Sequence, residues 1–339
     1  MSRDKPSVTR PTRRAVFRFS AGTALVGALV GRRELIRSAV SEEKQAGGPA
    51  IDTHIHVVSS GLPGIKSKPA DVLKLYQGPR ADMAARLEEE MKQANLAYAF
   101  GMGCLGGPPA DPLGIAGTLA LAASVPGLRA VGVADPRRAE PAHLKAVEAQ
   151  IETNRDKIVA FKAYLGYLHF GPEHPNYVPY YKLAKKYDLP VIVHTGDNWS
   201  TAAKVKYAHP LLMDEVAVDH PDVRFVLAHF GNPWLIDAAE VLFKNPNVWA
   251  DLSGLFVGNK KEIEDLLHQA KSPDSAMGLI VSDLRKAIGY VGDFKKFIYG
   301  SDWPLAPMAS YRRLIESFIP EVHHPAVFRA NAETVFKIK

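Results

Sequence analysis

An α/β fold closed into a (β/α)8 barrel, the TIM barrel, is predicted by three features of this 339-residue chain. Short apolar runs alternate with helix-period patterns over most of its length, as parallel strands do when crossover helices cover them. The runs number eight, the count at which such a sheet closes on itself. Several of them end on a histidine, lysine or aspartate, as barrel strands do when their C-terminal ends surround one site. An open doubly wound sheet is the main alternative. It fits less well, because those polar ends would have to converge across a flat edge.

The first strand is expected at residues 50–57, after a linker at Gly47-Gly48-Pro49. A helical pattern from Ala81 to Asn95 leads into the apolar run of strand two, 96–102. Strand three falls at 129–134, followed by a helix from Ala139 to Asn154 and strand four at 158–164. The pattern Tyr177 to Tyr187 predicts the next helix, and Pro190-Val191-Ile192-Val193-His194 the fifth strand. Strand six is placed at 224–229, a helix from Trp234 to Lys244, strand seven at 247–252, a helix from Lys260 to His268, and strand eight at 297–300. Gly106 to Asp111 and Gly171 to Pro179 read as loops over the mouth.

The formal net charge is +6, but it is not spread evenly. Residues 1–46 hold ten Lys/Arg against four Asp/Glu, which accounts for the whole excess, so the expected barrel at 47–339 is formally neutral. A nucleic-acid partner is therefore not expected. In the leader, Arg13-Arg14 precedes a weakly apolar Gly/Ala-rich stretch, Ala21 to Gly31. This resembles a twin-arginine (Tat) export signal and implies the export machinery as a partner, with a periplasmic protein as the product. The stretch is well short of the ~20 residues a stable membrane span requires, although a retained leader would anchor the chain. A disordered basic tail is the plainer reading of 1–46, with cleavage the other fate of the leader. The single cysteine, Cys104, excludes an internal disulfide.

The chemistry concentrates at the strand ends. His54 and His56 lie two residues apart in Ile51-Asp52-Thr53-His54-Ile55-His56-Val57-Val58, so on a strand they share a face and can chelate one cation. His194 ends the fifth run, His229 the sixth, and Gly300-Ser301-Asp302-Trp303-Pro304 follows the eighth. Each alone is more often a hydrogen-bonded structural residue. In this order they resemble the amidohydrolase superfamily, in the amidohydrolase-2 branch that includes the aminocarboxymuconate-semialdehyde decarboxylase-like enzymes.

That resemblance implies one divalent metal held by His54, His56, His194 and Asp302, with a position open for water. Zinc is the default for such a set and manganese the alternative. Asp302 would also take the proton of the metal-activated water, and His229 would polarise the substrate carbonyl or shuttle a proton. Lys162, on the fourth strand, is implied either to stay cationic and hold a substrate carboxylate or, carboxylated, to bridge a second metal; the first is preferred. Tyr164, Tyr167, Asn198 and Trp199 follow strand ends and are expected to contact substrate, while Asp52 and Asp251 would orient ligands from behind.

The leading functional expectation is hydrolysis of a small lactone, ester or amide. Non-oxidative decarboxylation of an aromatic or unsaturated carboxylic acid is the alternative on the same scaffold. A non-catalytic ligand-binding barrel is the third reading. Self-association, common among barrels of this type, is implied by the resemblance and by no patch in the sequence.

Overall fold

The structure is a computed structural model and describes residues 48–58 and 74–338. The leader expected at 1–46 lies outside these residues. In chain order the regular elements are β1 (Ala50–Ile55), α1 (Arg80–Gln93), β2 (Leu96–Met102), α2 (Ala116–Ala122), β3 (Leu128–Val133) and α3 (Pro141–Thr153). They continue with β4 (Ile158–Ala163), α4 (Val178–Tyr187), β5 (Val191–His194), α5 (Leu212–Asp219), β6 (Phe225–Ala228) and α6 (Leu235–Lys244). The last are β7 (Val248–Asp251), α7 (Lys260–Gln269), α8 (Ala276–Val291), β8 (Phe297–Ile298), α9 (Met308–Glu316) and α10 (Asn331–Phe336).

All eight strands are parallel and hydrogen-bonded in sequence order, so each crossover helix packs on the outside of the sheet. The seam between β8 and β1 closes through backbone bonds. Thr53 N–H donates to Tyr299 O at 3.1 Å, Asp302 N–H to His54 O at 2.8 Å, and His56 N–H to Trp303 O at 2.7 Å. The barrel expected from the sequence is the barrel observed.

Its interior is filled by Ile51, Phe100, Val131, Ile192, Val226 and Ile298, while Val335 and Phe336 of α10 plug the N-terminal end. Phe336 meets Phe100 with ring centroids 4.9 Å apart. With that end filled by side chains, the polar strand ends gather at the opposite mouth. A second apolar layer lies between the strands and the helices, with the aromatic rings of Phe161, Tyr180, Tyr181 and Phe225 in it.

The helices start and stop for local reasons. Asn259 and Glu262 form a capping box on α7, and the Ser275 hydroxyl accepts the Gly278 N–H at the start of α8. Gly292 then ends α8 in the left-handed region at φ 70°. Two helices, α7 and α8, fill the β7 to β8 connection where the sequence pattern pointed to one. No described helix is long and apolar enough to cross a membrane.

Candidate metal centre

His54 lies near the end of β1 and His56 one residue beyond its last member, and their ring centroids are 5.4 Å apart. Asp302, just past β8, faces both: its Oδ1 is 3.1 Å from His56 Nε2 and 3.6 Å from His54 Nε2. The ligand atoms of these three buried residues lie within 4.8 Å of one another, and they form a group able to hold a cation.

The hydrogen bonds behind the group fix which nitrogen of His54 faces inward. His54 Nδ1 is 2.9 Å from Asp251 Oδ2, and a carboxylate held ionised only accepts, so Nδ1 carries the proton and Nε2 presents its lone pair to the centre. Burial works against an ionised Asp251, but the neighbouring His54 and its hydrogen bond hold the carboxyl below the usual range. Its Oδ1 accepts from the backbone N–H groups of His229 and Ser253, each at 3.0 Å, and from the Ser253 hydroxyl. Asp251, expected to support the site from behind, thus ties β1, β6 and β7 together. Ser253, which the sequence reading did not single out, lies 3.0 Å from Nδ1 of both His54 and His229.

His194 and His229 form a second pair of donors. His194 Nε2 faces the Asp197 carbonyl at 2.9 Å and His229 Nδ1 faces the Ser253 carbonyl at 3.0 Å. A carbonyl cannot donate, so both of those nitrogens carry protons. The remaining nitrogens, His194 Nδ1 and His229 Nε2, then meet lone pair to lone pair at 3.2 Å. Burial and nearby cationic groups hold both imidazoles below their usual pKa, which disfavours a proton between them. A cation relieves the repulsion: two nitrogens at about 2.1 Å from a tetrahedral ion sit roughly 3.4 Å apart. The donor set therefore fits a divalent metal. The structure joins His54, His56 and Asp302 into one group and sets His194 beside His229 rather than within that group.

Backbone conformation positions these side chains. His229 and Asp302 sit in the left-handed region at φ 62° and 61°, a strained state that these non-glycine residues hold through Asp251 and the His54 carbonyl. Gly254 packs so closely that a Cβ there would lie 2.6 Å from His229 Nδ1 and 2.9 Å from Asp302 Oδ2. Burial works against the Asp302 charge, yet the neighbouring imidazoles of His56, His229 and His54 keep its carboxyl well below the usual range.

Lys162, on β4, is almost fully buried, with Nζ 3.4 Å from His54 Nε2 and 5.6 Å from the Tyr164 ring centroid. Burial lowers its pKa to about 8, and Asp251 and Asp302 oppose that shift. The ammonium in turn helps burial to lower His54 to about 3. Also on the first strand, burial raises Asp52 to about 7, while its Oδ1 accepts the N–H of Ser301 at 3.0 Å.

The residues expected to contact substrate cluster beside His194. The Tyr167 ring lies 4.8 Å from that of His194, and its hydroxyl accepts the Trp199 N–H at 3.0 Å. Asn198 is buried and donates to the Leu165 carbonyl at 3.2 Å, while its Oδ1 has no hydrogen-bond partner among the described residues. Tyr164 is buried and its hydroxyl donates to the Gly103 carbonyl at 2.8 Å, so its ring forms wall. Tyr76, not singled out in the sequence, donates to the His56 carbonyl at 2.7 Å.

Comparison with known proteins places this architecture. A TIM-barrel protein from Bordetella bronchiseptica is 19% identical, with a TM-score of 0.57 over 85% of this chain and 98% of that one. A probable 2-pyrone-4,6-dicarboxylic acid hydrolase from Acinetobacter baumannii, solved with citric acid, is 16% identical, with a TM-score of 0.55 over 86% of this chain and 100% of its own. The 5-carboxyvanillate decarboxylase of Novosphingobium aromaticivorans, solved with manganese and a nitrobenzoic acid, is 13% identical, with a TM-score of 0.57 over 87% of this chain and 97% of its own. At these identities the likeness shows the shared fold. A search of curated proteins returned no match. The sequence model of the amidohydrolase family, Amidohydro_2, matches residues 51–338. That match spans the barrel from its first strand to its last helix, and the chain belongs to the amidohydrolase family.

Proposed function

We propose that this amidohydrolase is a metal-dependent hydrolase acting on the carbonyl of a small lactone, ester or amide. The observation that carries the reading is the convergence of His54, His56 and Asp302 on one point, with His229 and Lys162 against its rim. A divalent metal bound there supplies a Lewis acid and brings the pKa of water to about 7. Zinc suits three imidazoles and a carboxylate, a set that His194 would complete only by turning its Nδ1 away from His229 Nε2; manganese, bound by the carboxyvanillate decarboxylase, is the other candidate.

The chain's own groups divide the remaining work. Asp302, kept ionised by its imidazole neighbours, accepts the proton of the attacking water. His229 in its resting tautomer has a bare Nε2, so it acts as a proton shuttle: it accepts that proton and delivers it to the leaving group. The Lys162 ammonium attracts a carboxylate on the substrate, and Tyr164, Tyr167, Asn198 and Trp199 shape the wall.

Lys162 also favours a second reading on the same residues, non-oxidative decarboxylation of an aromatic or unsaturated acid. His229, once protonated, would then place its proton on the carbon that loses carbon dioxide. Incubating metal-loaded protein with lactones, esters, amides and aromatic acids, and measuring acid or alcohol against carbon dioxide, separates the two. Carbon dioxide without hydrolysis would replace the first reading with the second. The facing nitrogens of His194 and His229 favour a second cation, and two metal equivalents would make a carboxylated Lys162 a bridge. Twin-arginine export to the periplasm belongs to the same proposal. Fractionating cells that express an Arg13→Lys, Arg14→Lys variant tests it, with retention in the cytoplasm as the expected result.

A further inference from the structure

Three successive residues in the loop from β5 to α5 each make one bond at the edge of the metal centre. The Asp197 carbonyl accepts from His194 Nε2 at 2.9 Å, the Asn198 side chain donates to the Leu165 carbonyl at 3.2 Å, and the Trp199 N–H donates to the Tyr167 hydroxyl oxygen at 3.0 Å. Leu165 and Tyr167 belong to the loop from β4 to α4. Asn198 therefore pegs one loop to the other, between the carbonyl that meets His194 and the N–H that meets Tyr167. Further out the same loops join again, Lys204 N–H to the Gly166 carbonyl and His169 Nε2 to the Ala202 carbonyl, each at 3.0 Å. Asn198 is only 8% exposed, and its amide lies against Gly166, where φ is 82° and a Cβ would come 2.4 Å from Asn198 Oδ1. A side chain so enclosed works on the neighbouring loop rather than in the open mouth.

The peptide between Asp197 and Asn198 carries the carbonyl that fixes the His194 tautomer. Before it, the chain is anchored separately, with Gly196 N–H donating to the Ala208 carbonyl and Asp197 N–H to the Asn232 carbonyl, both at 2.8 Å. After it, the next anchor is the Asn198 side chain. Were that peptide free to turn, His194 has another place for its proton. Its Nδ1 lies 3.2 Å from His229 Nε2, which is bare because His229 Nδ1 donates to the Ser253 carbonyl. With the proton on Nδ1, His194 would donate to His229, and two facing lone pairs would become a hydrogen bond. That exchange is locally favourable in the metal-free protein, and the Asp197 carbonyl opposes it. It would also consume both lone pairs that a cation needs.

We propose that Asn198 is a positioning residue: by holding the Asp197–Asn198 peptide it keeps the His194 proton on Nε2 and so leaves Nδ1 bare. The inference rests on the metal-dependent reading above, and its first test uses metal-free protein so that the two can fail separately. Two-bond proton–nitrogen correlation spectra of the histidine-labelled full chain report which nitrogen of each ring is protonated, with His194 assigned from a His194→Gln variant. Wild type should carry the proton on Nε2 of His194 and on Nδ1 of His54. In Asn198→Ala the His194 proton should move to Nδ1, while His54, held by Asp251, stays as it was. A general loosening of the fold would not single out His194. Asn198→Asp keeps the shape without the donor and should act alike. Tyr167→Phe removes the acceptor of the Trp199 N–H and should shift part of the His194 population, so a variant that fails to fold leaves the others to decide. Chelator competition with zinc or manganese should then show affinity reduced roughly tenfold or more in the Asn198 variants. His194 still protonated on Nε2 in folded Asn198 variants overturns the proposal, as does a wild type protonated on Nδ1, or unchanged metal affinity once the proton has moved. Tautomers as expected in a protein that takes up neither metal would overturn the metal reading and uphold the coupling of Asn198 to His194.

Discussion

Replacing Asp251 by asparagine separates its charge from its shape. Two backbone N–H groups, those of His229 and Ser253, point at Oδ1, each at 3.0 Å, so the amide oxygen must occupy that position. The amide nitrogen then replaces Oδ2, 2.9 Å from His54 Nδ1, and it can only donate. His54 must accept there, which moves its proton to Nε2 and removes the lone pair aimed at Asp302 and the metal position. Supporting residues of this kind typically contribute 10- to 100-fold in metal affinity, or about 1.4 to 2.7 kcal/mol. The loss of one ligand's lone pair points to the upper end of that range. Competition between the protein and a chelator of known affinity measures it, with a thermal melt of the metal-free protein as a control for folding. Equal affinity in Asp251→Asn and wild type would mean that His54 does not bind through Nε2, and the assignment of the first-strand ligands would fail.

Gly254→Ala should reduce turnover at least tenfold and lower stability. A Cβ at φ 60° costs about 1 to 2 kcal/mol in backbone alone, and here it also presses on His229 and Asp302; activity close to wild type would show that the two side chains are not held by this contact. Lys162→Met keeps much of the stem volume without the ammonium, and it should raise KM for a carboxylated substrate with the metal content unchanged; loss of metal would identify a bridge instead. The metal-free protein should lose stability as pH falls below the ordinary imidazole value of about 6.5. His54, lowered to about 3, and His194, also lowered, stay neutral in the fold while the unfolded chain takes up their protons. His229, lowered likewise, adds to the fall, while Asp52, raised to about 7 and protonated in the fold, opposes it. Urea titrations between pH 6.5 and 5 should therefore show a net fall in stability, and a flat profile would contradict the buried neutral imidazoles.

The barrel was legible because its strands are nearly continuous apolar runs buried on both faces, and their ends carry the polar residues. The edges of the strands were less so: β8 is only Phe297–Ile298, and His56, His229 and Asp302 stand just beyond their strands. The histidines and Asp302 could be found from residue type and order. Their orientation could not, because it depends on carbonyls such as those of Asp197 and Ser253 that only the fold brings near. Ser253 follows Asp251 by two residues after a strand end, the one signal that would have marked it, yet a serine in a turn is common. Tyr76 makes its contact across the mouth, which no local pattern encodes.

The central claim is that His54, His56 and Asp302 hold a divalent metal. Elemental analysis of purified full-length protein, compared with a His54→Ala, His56→Ala variant whose circular dichroism matches wild type, tests it most directly. Stoichiometric zinc or manganese in the wild type, absent from the variant, is the expected result. Wild type and variant equally free of metal, even after loading with either ion, would contradict it and leave the histidines as structural members of the barrel.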